Sequence, residues 1–224
     1  MAAAAVIGST GATSGSSSTA SPWTGSYTPP LATKCILLVA VFRSSFGTTD
    51  VTADFGGHPM ALLAANSNDG TKLLWYLNDP PVGSAQAVSV AKPSTSAQMM
   101  WAVLALNGRR TIAHTPVVAN VQGFNNLSQT ITPDIDIGFV LSAIMHENAV
   151  GPTPTNGQTS VLSNNGFGWA RAAAYTPVVA PSPFVDSWNN GNLDHGSLMS
   201  TYLAFDDVPY IPTLEVSFDG VRVL

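Results

Sequence analysis

Apolar residues come along this chain in short runs, some continuous and some alternating with polar ones, separated by Gly, Pro, Asn and Asp. Lys34-Cys-Ile-Leu-Leu-Val-Ala-Val-Phe42 is continuous, β-branched enough for a buried strand, and bounded by Arg43-Ser-Ser. Val51-Thr-Ala-Asp-Phe55 alternates, turns at Gly56-Gly57 and resumes as His58-Pro-Met-Ala-Leu-Leu-Ala-Ala65, the pattern of a hairpin. Lys72-Leu-Leu-Trp-Tyr-Leu77 follows Asn66-Ser-Asn-Asp-Gly70 and is closed by Asn78-Asp-Pro-Pro81. Ala85 to Ala91 and Gln98 to Leu106 are the next strand candidates, the latter ended by Asn107-Gly108.

The second half repeats this style with longer loops. Its strand candidates are Ile135 to Met145, Gln158 to Leu162, Gly168 to Tyr175 and Ser197 to Phe205, and Leu214 to Leu224 reads as a hairpin around Asp219-Gly220. Nowhere do caps and a 3.6-residue apolar period persist, so helices are expected to be few and short. About ten strands at this spacing predict an all-β, two-sheet antiparallel β-sandwich, with a jelly roll as the expected topology. The expected organisation is an extended arm over residues 1–33, a sandwich over 34–205 and a terminal strand or hairpin extension over 206–224.

Composition changes the picture most at the start of the chain. Met1 to Thr33 carry no charged side chain. A Gly/Ala/Ser/Thr stretch such as Gly8 to Thr19 buries too little apolar surface to offset its ordering entropy alone. A neighbouring subunit is one expected holder, with Ser9, Thr10, Trp23 and Tyr27 as partner-binding candidates and Trp23 as an aromatic anchor. A flexible leader is the alternative. Met1-Ala-Ala-Ala-Ala-Val-Ile7 lacks the basic n-region of a secretory peptide, and no stretch reads as a membrane-spanning helix. The expectation is therefore synthesis in a cytoplasm without membrane association. The one cysteine, Cys35, sits in an apolar run and reads as a small core residue.

Charged residues make up 9% of the chain and the formal net charge is -5, so solubility must come from hydroxyl and amide groups. The scarcity of Lys and Arg argues against nucleic-acid binding, which rests on neutralising phosphates.

Ile36 to Val41, the turn Phe55-Gly-Gly-His-Pro-Met60 and Leu74-Trp-Tyr-Leu-Asn-Asp-Pro-Pro-Val-Gly83 together resemble jelly-roll modules of tailed bacteriophages and phage-like particles. Such modules occur in capsid-decorating, head spike, fibre and tail proteins and in related bacterial surface proteins. The resemblance spans roughly Lys34 to Phe205 and rests on turn and packing residues. It implies a fold and supplies no catalytic residues.

Catalytic signatures are incomplete. His146-Glu147 begins like a zinc-protease helix, but position 150 is Val where the second imidazole belongs. Neither a Gly-x-Ser-x-Gly elbow nor a phosphate-cradling Gly-x-x-x-x-Gly-Lys loop occurs. Asp134 and Asp136 would share one face of a strand, as a calcium site or glycosidase pair would require, but they read first as a solvated edge at the strand start. Asp206-Asp207 reads as a charged strand exit, and His58 and His114 as ordinary hydrogen-bonded histidines. Trp75, Trp101 and Trp169 lie within strand patterns and read as core. In Ser187-Trp-Asn-Asn-Gly-Asn-Leu-Asp-His-Gly196, Trp188 can stack on a pyranose while Asn189, Asn190, Asn192 and Asp194 meet its hydroxyls. The competing reading is a turn-rich loop with its Trp packed inward.

The functional expectation is a non-enzymatic structural virion protein on the particle surface, a capsid decoration or head spike or fibre component without cofactor or metal. Its partners would be other virion subunits, attached through the arm, with homo-oligomeric and specifically trimeric packing in view. A tail-associated or carbohydrate- and receptor-binding module recognising a host-surface glycan is the alternative. A glycan hydrolase using Asp134, Asp136 or Asp194 ranks behind both.

Overall fold

The computed structural model describes residues 4–13, 21–43, 50–92, 98–111, 115–124, 126–133, 138–146, 152–164, 170–178, 182–189 and 195–205. Among them are seventeen β-strands and no helix. The first nine are β1 (Val6–Thr13), β2 (Trp23–Tyr27), β3 (Cys35–Phe42), β4 (Thr52–Phe55), β5 (His58–Pro59), β6 (Ala61–Asn66), β7 (Lys72–Asn78), β8 (Gln86–Ala91) and β9 (Met99–Leu106). The rest are β10 (Val117–Phe124), β11 (Leu127–Ile131), β12 (Gly138–His146), β13 (Thr153–Pro154), β14 (Thr159–Asn164), β15 (Ala170–Val178), β16 (Phe184–Asn189) and β17 (His195–Ala204). They form four antiparallel sheets, ordered β1-β9-β3-β7-β6, β2-β8-β4-β5, β10-β17-β12-β15-β14 and β11-β16-β13.

Three apolar layers join these sheets. Alternate residues of β3 point opposite ways: Cys35, Leu37, Val39 and Val41 face one layer, while Ile36, Leu38, Ala40 and Phe42 face another. The first layer is completed by Phe139, Leu141, Ala143 and Met145 of β12, so the two five-stranded sheets meet through it. The second is completed by Trp23, Phe55, Val88 and Val90, from the four-stranded sheet. On the far side, Leu127 and Trp188 of the three-stranded sheet pack on Ile144, Ala172 and Leu198. Because both five-stranded sheets are covered on both faces, β3, β9 and β12 are buried along their whole length. Outer strands such as β8 and β16 instead alternate between buried and open positions.

The strand orders reveal a repeat. Reading β1, β9, β3, β7 and β6 as the counterparts of β10, β17, β12, β15 and β14 superposes one five-stranded order on the other. The same rule maps β2-β8-β4 onto β11-β16-β13. Even an irregularity recurs: β6 bulges between Leu62 and Ala64, opposite Trp75 and Leu74, and β14 between Ser160 and Leu162, opposite Ala174 and Ala173. Across the middle layer β3 lies over β12 and β15, β7 over β12, β9 and β1 over β14, and β6 over β17. Exchanging the halves preserves these pairs, except that the counterpart of β1 over β14 is a slighter contact of β6 with β10 through Asn66 and Asn120, so they face each other about an approximate local two-fold axis.

Residues 6–13 and 23–27 are strands of the first half, where an extended arm was expected. β1 pairs with β9 and β2 with β8, and the 4% exposed Trp23 packs edge-on against Phe42 at 5.4 Å. Val6, Ile7, Trp23 and Tyr27 supply the apolar contacts that the Gly/Ser stretch lacks. The β4–β5 turn forms where the sequence predicts it: Gly56 and Gly57 hold φ of +61° and +82°, and Asp54 Oδ1 accepts from the Gly57 N–H at 2.8 Å. The hairpin expected over 214–224 lies outside the described residues.

Candidate functional site

The densest polar constellation is buried between the three-stranded sheet and its five-stranded neighbour. Alternation along β16 turns Asp186 and Trp188 inward and Val185, Ser187 and Asn189 outward. In the first half the matching inward positions of β8 are Val88 and Val90, so the second half has a carboxylate where the first has an isopropyl group. The sequence elsewhere accommodates it. Ser142 on β12 and Ser200 on β17 are cross-strand partners, and Gln129 on β11 pairs with Asp186.

Asp186 accepts four hydrogen bonds. Oδ1 takes them from Gln158 Nε2 at 2.6 Å and Trp188 Nε1 at 2.9 Å, and Oδ2 from Ser142 Oγ at 2.5 Å and from Ser200 Oγ. Gln129 Nε2 extends the chain, donating to Ser200 Oγ and to the Ala119 carbonyl of β10 at 3.0 Å. Burial pushes the Asp186 carboxyl above its usual range, against the pull of these four bonds. All four donors are neutral. A carboxylate has about four lone-pair sites, and here the fold's own donors occupy them, leaving none for a substrate. The arrangement ties two sheets together; it does not present a reactive group.

The residues singled out from sequence are scattered. Ser9 and Thr10 lie on β1, paired with Leu104 and Val103, and Tyr27 is half-buried at the end of β2. Trp23 is in this chain's own core, which corrects its reading as an anchor for a neighbour's pocket. Trp188 is 1% exposed and donates to Asp186, so it offers no face for a sugar. Inward alternation along β16 is the physical reason. Asn189 is exposed, while Asn190, Asn192, Asp194, Asp134, Asp136, His114 and Trp169 lie outside the described residues. Trp75 and Trp101 are core, and His58 is exposed on β5. Cys35 is wholly buried, its thiol pushed up to about 12 by burial. Among the described residues no group of three His, Cys, Asp or Glu converges as a metal site would need.

Sequence reading missed Asp186, Ser142, Ser200, Gln129 and Gln158. The signal was the alternation of Phe184 to Asn189, which places an Asp on the same face as a Trp. No protein-family model, curated protein or solved structure matches the chain. None of these comparisons links the chain to phage modules.

Proposed function

We propose that this chain is a non-enzymatic structural subunit of a phage or phage-like particle, displayed at its surface and built as two β-sandwiches fused back to back. The Asp186 constellation carries this reading: the best-developed polar cluster among the described residues is spent on holding sheets together. The jelly-roll assignment draws support from pairing in the first half. β1 pairs with β9, β2 with β8, β3 with β7 and β4 with β5, as in a long hairpin rolled up on itself. The second half keeps the first three of these rungs.

Attachment to other virion subunits is assigned to the uncharged edge strand β1, where Ser9 is exposed, rather than to a free arm. Immunogold electron microscopy of particles pelleted from cells expressing the chain tests the proposal. Regular labelling of particles is the expected result. A chain absent from particles that turns over a glycan would overturn it.

A further inference from the structure

The halves are joined by more than their apolar layer. The turn between β6 and β7 reaches across to the second half with polar groups. Asn66 Nδ2 donates to Asn120 Oδ1 on β10 at 2.6 Å, and Asp69 Oδ2 lies 2.8 Å from His195 Nδ1 at the start of β17. Lys72, the first residue of β7, is fully buried. Its Nζ donates to the Asn68 carbonyl at 2.8 Å, to the Gly70 carbonyl at 3.0 Å and to Ser197 Oγ of β17. Ser197 Oγ in turn donates to the same Asn68 carbonyl at 2.5 Å. One backbone oxygen of the first half thus serves an amine from its own half and a hydroxyl from the other.

The turn has little freedom to move away. Gly70 holds φ of +91°, and a Cβ there would stand 2.5 Å from the Phe42 carbonyl and 2.6 Å from the Met145 methyl of the second half. Among the described residues, the charged and titratable side chains facing the cluster are few. Asp69 and Lys72 come from the turn and β7, His195 from β17, and His146 from β12, where its ring lies against Gly196. β10 adds only the neutral Asn120 and Gln122.

We propose that Asn68, Asp69 and Lys72 with His195 and Ser197 form a proton-operated clasp between the halves, whose grip tightens as the buried amine loses its proton. Burial lowers Lys72 to about 7, with Asp69 opposing the shift, whereas an amine released to water returns to the ordinary lysine range. The closed clasp then binds fewer protons than the open one from about pH 7 upward. The opening constant falls about fiftyfold in all between pH 7 and 9, and is level below pH 7. A neutral amine still fits the cage, donating to the Asn68 and Gly70 carbonyls, once the Ser197 hydroxyl turns its one proton from the Asn68 carbonyl to the amine lone pair.

Hydrogen exchange of the full chain, corrected for intrinsic rates, reads the opening at the amides of 72–78 and 195–205. Roughly a fiftyfold gain in protection from pH 7 to 9 is expected in the wild type, none in Lys72→Met, and the wild-type slope in His195→Asn. A flat wild-type profile overturns the proposal, even if Lys72→Met fails to fold. So does a slope that survives Lys72→Met or vanishes in His195→Asn.

Discussion

Truncating Asp186 is the most direct probe of what holds the second half together. Asp186→Ala removes the acceptor of four donors and leaves Gln158, Trp188, Ser142 and Ser200 in place. Each stranded donor costs about 1 kcal/mol after partial rehydration, so the sum is about 4 kcal/mol. Asp186→Asn keeps an oxygen for two donors and forces the two serine hydroxyls to turn and accept, for a loss of about 1–2 kcal/mol. Urea unfolding followed by tryptophan fluorescence reads both, with Trp188 as a local reporter. At a slope of about 2–2.5 kcal/mol/M the alanine variant loses about 1.5–2 M in midpoint.

The pH dependence follows from the raised carboxyl. Between the ordinary carboxylate range and its folded value, the native chain keeps a proton that the unfolded chain releases. This contribution to stability is complete in acid and is lost as pH rises through the folded value. Asparagine does not titrate, so the deficit of Asp186→Asn shrinks from about pH 4 toward neutrality. A loss below about 1 kcal/mol for the alanine variant, or an asparagine deficit that grows with pH, would refute the reasoning.

Two further outcomes test the fold. Trp23→Ala, at a 4% exposed site against Phe42, is expected to cost about 3–5 kcal/mol in thermal or urea unfolding; an unchanged midpoint would return this residue to a role outside the core. Cys35, buried and pushed up to about 12, is expected to resist a thiol reagent in native buffer and to react fully in urea. Rapid reaction of the folded chain would contradict its place on β3.

Strands whose apolar residues run on or alternate cleanly were legible: β3, β7, β8 and β9 fall where the pattern puts them, and so do β14, β15 and β17 within a few residues. Their consequence was harder to see. An antiparallel strand as continuously apolar as Cys35 to Phe42 needs cover on both faces, which demands a third layer and a fourth. β1, β2 and β11 were hidden because small and hydroxyl residues pair through backbone and carry little pattern, and β10 because Asn120, Gln122 and Gly123 interrupt its apolar residues. Trp188 shows the same limit at the site. Its neighbours Asn189 and Asn190 look like loop, yet the strand continues through Trp188 and turns the indole inward to Asp186. Ser142 and Ser200 became legible as partners only through the register of β12 and β17.

The local two-fold relation between the halves has a consequence for how the protein behaves at low abundance. Two separate modules meeting through such a face would obey mass action and come apart on dilution. Here both faces belong to one chain, so their closure is unimolecular and independent of concentration. The same fusion takes the self-complementary surface out of circulation. Any larger array this chain enters must then be made through its outer sheets and free edges.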